Sequence, residues 1–358
     1  MRPSGTAKEL KARRGGGANW GLIRFALRRL LALVLLAVGI TLIAFFLSHL
    51  VPGDPVSVAL GEQASVDPVA RAAFIHRYGL DKPVPEQYVI YMQHLLHGDL
   101  GNSIQSGRPV AQDLSVAIPA TLEVALVAVT ITVVVGIGMG LGAALRKDSW
   151  LDQVLRIASL AGVSVPTFWL ALVAYYVFFF KLGWSPSGGR LDPALNPPVH
   201  VTGLYTVDAL LAGNLPLALN AVSHLILPAT VLAAYTVSFV ARFTRSSVLE
   251  VLEADYILAA RAKGLPERTV IFNYVLRAAL VPIITLVGLA FGSLLSGTVL
   301  VETIFSWPGV GQYAYRASTS LDLNAIMGVS LFVAIAYVTV NFVVDLLYGV
   351  VDPRIRVE

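Results

Sequence analysis

Along the 358 residues, long apolar runs alternate with polar connections, and six of those runs reach the roughly 20 residues that a bilayer-crossing helix requires. They predict spans over about Leu30–Leu50, Thr121–Leu145, Val154–Phe180, His224–Ala241, Ala278–Val301 and Ile326–Val350. The third run is long for one straight helix and contains Pro166, which lacks a backbone donor. A kink is expected there, or a lead-in helix followed by the span proper. The first run exceeds the short apolar stretch of a secretion signal, and Ser48-His49-Leu50-Val51-Pro52 offers no small-x-small cleavage site, so it is expected to stay in the membrane. The expected fold class is an all-α membrane protein with six transmembrane helices.

The connections sort by charge. The tail through Arg29, the turn Arg146–Arg156, the segment Arg242–Arg277 and the tail after Val350 hold 19 of the 26 Lys and Arg residues. The alternate connections, Val51–Ile118, Lys181–Ser223 and Glu302–Ala325, hold 7, although two of them are long. Since positive residues stay on the cytoplasmic side, a multi-pass chain with both termini cytoplasmic is expected. Met1–Asn19 mixes Gly, Arg, Lys, Ser and Ala without periodicity and reads as a disordered basic tail near anionic headgroups; Arg13-Arg14 lies too far from the apolar run for a twin-arginine signal.

Composition agrees with this picture. Hydrophobic residues make up 56% and charged residues only 13%, about half the share usual in soluble domains, and the net charge of +4 follows from the topology. No cysteine is present, which excludes disulfides, thiol chemistry and cysteine-ligated metal. The first external segment carries turn chemistry at Tyr78-Gly79-Leu80-Asp81-Lys82-Pro83, an apolar short helix over Tyr88–Leu96 and a break at Gly98-Asp99-Leu100-Gly101. The second, Gly183–Pro198, is rich in Pro and Gly, and both read as caps over an outer mouth.

Within the spans, Gly136, Gly138, Gly140 and Gly142, and again Gly288 and Gly292, create small-residue faces that suit either close helix packing or a pore wall. Ser293, Ser296, Gly297 and Thr298 tilt the fifth span toward a pore-facing role. Glu123 is expected in the first turn of the second span, where a carboxylate complements the helix N-terminus, and Asp345 near the cytoplasmic end of the sixth. No ionisable group falls in the middle of a span, which disfavours an ion-coupled secondary carrier. There is no Gly-Lys-Ser/Thr phosphate loop and no His-Glu-x-x-His; His94 and His97 could hold a metal but fit an interfacial histidine pair better.

The segment after the fourth span is too polar to cross a membrane and too patterned for a plain loop. Ser247-Val248-Leu249-Glu250 fits a capping box opening a helix that runs through Tyr256, Ala259, Ala260, Arg261 and Ala262 to Lys263. Gly264 stands where a left-handed C-terminal cap is wanted, and Pro266 and Glu267 suit the first turn of a second helix. Three alanines permit close approach to another surface, with Arg261 and Lys263 beside it. The pattern fits a docking helix for a soluble motor and, equally, an interfacial helix lying on the bilayer.

This segment resembles the coupling loop of binding-protein-dependent ABC importers, whose general pattern is Glu-Ala-Ala-x-x-x-Gly followed by Ile-x-Leu-Pro. Asp255-Tyr256-Ile257-x-x-Ala260-Arg261-Ala262-Lys263-Gly264-Leu265, with Leu276-Arg277-Ala278-Ala279-x-x-Pro282, is closer to the peptide-importer branch; Leu258 replaces the Glu, and Tyr274-Val275-Leu276-Arg277 the Ile-x-Leu-Pro. The resemblance continues through Arg28-Arg29-Leu30-Leu31, Leu50-Val51-Pro52-Gly53-Asp54-Pro55, Gly98-Asp99-Leu100-Gly101-x-Ser103, Pro119-Ala120-Thr121, Pro186-Ser187-Gly188-Gly189, Val301-Glu302-Thr303-Ile304-Phe305-Ser306-Trp307-Pro308-Gly309-x-Gly311 and Asp352-Pro353-Arg354. Together these look like the first permease subunit of dipeptide and oligopeptide systems.

What the resemblance implies is a type I importer transmembrane domain of the bacterial cytoplasmic membrane. The expected layout is a basic tail over 1–20, a first helix with its external segment over 21–118, a five-helix core over 119–350 with a coupling loop at 244–277, and a tail over 351–358. The implied partners are a homologous second permease subunit, two cytoplasmic ATPases that carry ATP-Mg, an external solute-binding protein and a peptide substrate. This chain would bind no cofactor and catalyse no covalent step. Asp255, Tyr256, Ala259, Ala260, Arg261, Ala262, Lys263, Gly264 and Leu265 are the expected ATPase-coupling residues, and Ser293, Ser296, Thr298 and Glu302 the expected pore lining. The family also serves nickel, glutathione and some sugars.

Overall fold

The computed structural model describes residues 31–32, 34–43, 45–46, 56 and 67–351. The basic tail, the Leu50–Pro55 motif, most of the Arg28–Leu31 motif and the closing Asp352-Pro353-Arg354 lie outside the described residues, as do the side chains of Ser296 and Asp345. Of the first expected span, α1 (Val34–Ile43) is described.

Among the described residues the chain is helical throughout, with one isolated bridge pairing Asn102 and Pro109. Ahead of the long helices, α2 (Pro68–Tyr78) starts on an Asp67 side chain that accepts from Val69 N–H, and α3 (Val84–Leu96) follows. Three helices are long and apolar enough to cross a bilayer unbroken: α4 (Val110–Leu145), α8 (Leu215–Leu252) and α12 (Leu323–Val351, apolar over Leu323–Val344). Two further candidates are bent pairs. At Pro166, α5 (Trp150–Ser164) turns by 102° into α6 (Thr167–Lys181), so the break falls at the expected proline and the two helices are long and apolar enough only as a pair. Glu267–Leu280 and Pro282–Leu294 meet at 52°, within the stretch that becomes α10 (Leu276–Ile304). Counting each pair once gives up to five spans.

Two boundaries differ from expectation for physical reasons. The second span begins at Val110 rather than Thr121, because the amphipathic turn before Pro119 has partners to pack on: Val110, Leu114 and Ala117 are buried against α11 (Val310–Thr319) and α12. The 118/119 domain boundary therefore falls inside one helix. The helix of the fourth expected span continues to Leu252, so Ser247-Val248-Leu249-Glu250 lies within α8 and opens no helix; burial of Val248 in a cluster with Ile257 and Val270 carries the helix past Ser247.

The glycine faces resolve by what they meet. A Cβ at Gly136 or Gly140 would run into α8 at Val240, Ala241 and Thr244, and one at Gly288 or Gly292 into Val344 or Tyr337 of α12. Gly138 and Gly142 face open space. On the first set, helix packing is the role. A π-helical turn over Thr132–Gly136 lets the Thr132 hydroxyl meet that of Thr236 at 2.7 Å beside this contact. The Gly98–Ser103 motif docks on the α11–α12 junction, where Ser103 Oγ donates to Asp322 Oδ2 at 2.6 Å.

Candidate functional site

The segment after α8 is built around a half-buried short helix. After α8 ends at Leu252, Ala254 is extended (ψ 140°) and α9 (Asp255–Ala262) starts without a side-chain cap. Ile257 and Ala260, three apart and on one face, insert into a cluster with Val248 of α8, Ala144 of α4, and Val270, Val275, Ala279 and Ile283. Asp255, Tyr256, Leu258, Ala259, Arg261, Ala262 and Lys263 face outward, Tyr256 being 49% and Leu258 55% exposed. Ala260 is therefore packed in the core of this chain, while its neighbours Ala259 and Ala262 are exposed.

Gly264 has φ +73°, donates to Arg261 C=O at 2.9 Å and turns Leu265 back toward the cluster, where Leu265 N–H reaches Ala260 C=O at 3.4 Å. A Cβ there would meet nothing within 4 Å, so conformation rather than space calls for glycine. Pro266 is the N-cap of the Glu267–Thr269 turn, and Arg261 Nη2 lies 2.7 Å from Glu267 Oε1 across the connection. Being exposed, that pair orients more than it stabilises.

Behind this segment, α5 is tied to α8. Asp152, fully buried, accepts from Arg245 Nε at 2.7 Å and Nη2 at 2.8 Å, and from Asp148 N–H at 3.1 Å. The hydrogen bonds from Arg245 outweigh burial and hold its carboxyl at about 2.

At the opposite end a second polar assembly forms. Glu302 is buried; it accepts from Thr121 Oγ1 at 2.7 Å and Gln312 N–H at 2.8 Å, while Thr298 is buried one turn away. A Cβ at Gly309 would strike the Glu302 carboxylate and Thr121, and one at Gly311 the Val299 backbone, which explains the small residues of that motif. Trp307 Nε1 donates to Ala120 C=O at 2.8 Å, and Gly189 N–H to Phe305 C=O at 2.9 Å, so the Pro119, Gly188 and Trp307 motifs pack as one unit. Thr298 and Glu302 are both buried within this unit. Ser293 is exposed, its hydroxyl bonded to Leu289 C=O at 2.8 Å, and Ser296 carries no described side chain.

Glu123 is likewise no helix-terminus residue, because α4 starts thirteen positions earlier. It is buried and accepts from Arg190 Nη2 at 2.6 Å and from the Thr206 N–H and hydroxyl, while Arg190 stacks 3.5 Å from the Tyr205 ring centroid and donates to Gly203 C=O. Asp208, in α7 (Tyr205–Leu211), gathers the N–H groups of Val201, Thr202 and Gly203; burial opposes its ionisation, but these bonds lower its carboxyl below the usual range. Sequence reasoning missed both buried pairs, Asp152–Arg245 and Glu123–Arg190. At separations of 93 and 67 residues, neither leaves a local pattern to find. His94 and His97 take separate local partners, Asp99 Oδ2 at 3.2 Å and Gln93 C=O at 2.7 Å.

Comparison with known proteins places this architecture. The family model described as binding-protein-dependent transport system inner membrane component matches residues 133–357, and the corresponding N-terminal model matches 22–125. The chain is 46% identical over 336 residues to the probable D,D-dipeptide transport system permease protein DdpB of Escherichia coli K12, covering 94% of this chain and 97% of that one. It is 41% identical to the dipeptide transport system permease protein DppB of Alkalihalophilus pseudofirmus (94% and 100% covered), and 44% to the di/tripeptide transport system permease protein DppB of Pseudomonas aeruginosa (94% and 99%). Among solved structures, a chain of the inward-facing MetNI methionine ABC transporter aligns with TM-score 0.49 at 16% identity, over 65% of this chain and 93% of that one.

Proposed function

The chain belongs to the binding-protein-dependent transport system inner membrane components, and from that premise we propose that it passes di- or oligopeptides across the bacterial cytoplasmic membrane. The full-length relatives named as dipeptide and di/tripeptide permeases support the substrate class. In this reading a second, homologous permease subunit completes the pore, an external binding protein delivers peptide, and two cytoplasmic ATPases supply the work from ATP-Mg. Both termini face the cytoplasm, as the Lys and Arg distribution supports.

The observation that carries the mechanism is the two-sidedness of α9. Ile257 and Ala260 anchor it to the ends of α4, α8 and α10, while Asp255, Tyr256, Ala259, Ala262 and Lys263 stay open on the other side. A motor pressing on that open face would move the anchored helices with it. Arg261 and Leu265 hold the exit of the helix, and Gly264 sets its turn.

Ala259→Glu places a bulky charge on the open face without touching the core. The ATPases should no longer co-purify with this variant, and peptide uptake should fall at least tenfold, at unchanged membrane yield. Full co-purification and uptake would reduce α9 to a helix resting on the bilayer.

A further inference from the structure

The cytoplasmic ends of α4, α5 and α8 leave a cleft of about 280 Å³ whose lining is unusual in its chemistry. Met139, Leu155 and Leu160 make an apolar side, and Arg156, Arg242 and Arg245 project from the other. Arg245 is engaged by Asp152, and Arg156 Nε lies 4.0 Å from the same carboxylate. Arg242 is exposed beside the Phe243 ring. Asp148 also acts on Arg245 from the preceding turn, but Arg146 and Lys147 flank it, so positive charge is in excess.

The position of the cleft narrows what could fill it. The helix α5 lies lengthwise against the end of α8, from Asp152 beside Arg245 to Gly162 beside Ser238 and Ala234, before the chain turns 102° into α6. Its outward side carries Trp150, Val154, Ile157 and Leu160, exposed by 75, 49, 66 and 56%. Leu160 belongs to both this stripe and the cleft, so an apolar track leads from the arginines onto the exposed side of α5. An exposed Trp at the end of such a helix suits the headgroup level. Guanidinium groups bind phosphate through paired N–H donors, and basic pockets between spanning helices on this side take anionic headgroups.

We propose that this cleft binds an anionic phospholipid of the cytoplasmic leaflet, with its phosphate between Arg156 and Arg242 and an acyl chain along Ile157 and Leu160. The lipid would cross the α5–α8 junction beside the Asp152–Arg245 bridge and brace the two helices against each other. The leaflet assignment rests on the orientation proposed above; the phosphate chemistry does not.

The test uses the chain purified with its accompanying subunits, delipidated in detergent and titrated with phosphatidylglycerol or phosphatidylcholine under native mass spectrometry. Phosphatidylglycerol should be retained, and Arg156→Gln/Arg242→Gln should weaken its retention about tenfold. Both arginines are exposed and Arg245 is left in place, so the variant should fold and assemble normally. Phosphatidylcholine should bind neither form, and millimolar inorganic phosphate should not displace the lipid. Equal retention of phosphatidylglycerol by both forms would overturn the proposal, as would displacement by free phosphate. So would cross-linking of Leu160→Cys to another subunit in place of lipid, since the cleft would then be a protein interface. None of these readouts depends on transport, so failure here is separable from failure of the peptide-permease reading.

Discussion

Arg245 clasps Asp152 with two parallel hydrogen bonds, Nε to Oδ1 at 2.7 Å and Nη2 to Oδ2 at 2.8 Å, and this one clasp fixes the angle at which α5 meets α8. Asp152 is fully buried and Arg245 only 20% exposed, hence removing the carboxylate leaves a half-buried guanidinium without its partner. Asp152→Asn is expected to cost about 3 kcal/mol. The Asp152 carboxyl, held at about 2, lies below the ordinary carboxylate value near 3.9. Its contribution is therefore complete above that ordinary value and is lost only as pH falls through about 2. Thermal unfolding in detergent should show the same loss for Asp152→Asn at pH 5 and at pH 8. A loss that changes between those two values would mean that another group governs the junction.

The Glu123–Arg190 pair makes a different prediction, because both partners are nearly inaccessible. Arg190→Met alone should destabilise by about 3 to 5 kcal/mol, since it leaves Glu123 charged and buried. Adding Glu123→Leu should recover most of that loss, as apolar replacements of a buried pair often do. Unfolding midpoints of the two single variants and the double variant give the comparison. A double variant worse than Arg190→Met would show that Thr206 and Gly203, not the charge pair, carry the stability.

At Gly264 the strain is conformational only. A β-branched residue at φ +73° costs on the order of 1–2 kcal/mol or more, whereas Asn tolerates the left-handed region. Gly264→Val is expected to abolish co-purification of the ATPases while membrane insertion survives, and Gly264→Asn to retain it. Equal loss in both would place the requirement in the missing side chain rather than in the turn.

Orientation can be read by thiol labelling, which the absence of cysteine makes clean. Val199 and Glu267 are both exposed, on opposite sides of the expected membrane. Val199→Cys should react with an impermeant reagent in intact cells, and Glu267→Cys only after permeabilisation. The reverse result would invert the topology.

Those expectations show which features a single chain makes legible. The apolar runs placed the spanning helices because lipid imposes length and polarity directly on local sequence, and Pro166 and Gly264 were readable because each constrains its own backbone. Other features depend on remote partners. Gln112, Asp113 and Ser115 gave the start of α4 a polar look, and only burial of Val110 and Leu114 against α11 and α12 keeps it helical. Ala259 and Ala260 are identical in type, yet one is open and the other packed, because Ile257 chooses the face. Glu302, expected as pore lining, is buried and bonded to Thr121, a partner 181 residues away that no local pattern reveals.

α8 is one unbroken element of 38 residues, roughly 57 Å at 1.5 Å per residue, or nearly twice the thickness of the hydrocarbon layer. Near one end, His224 lies within 3.5 Å of Asp192 in the external cap, and the other end delivers the chain into α9. Such a strut behaves as a crank. A tilt of about 10° around its middle swings each end by about 5 Å in opposite directions, with no local unfolding needed. A push of atomic size at the end that enters α9 would then arrive at the Asp192 end as a displacement of similar size in the opposite direction.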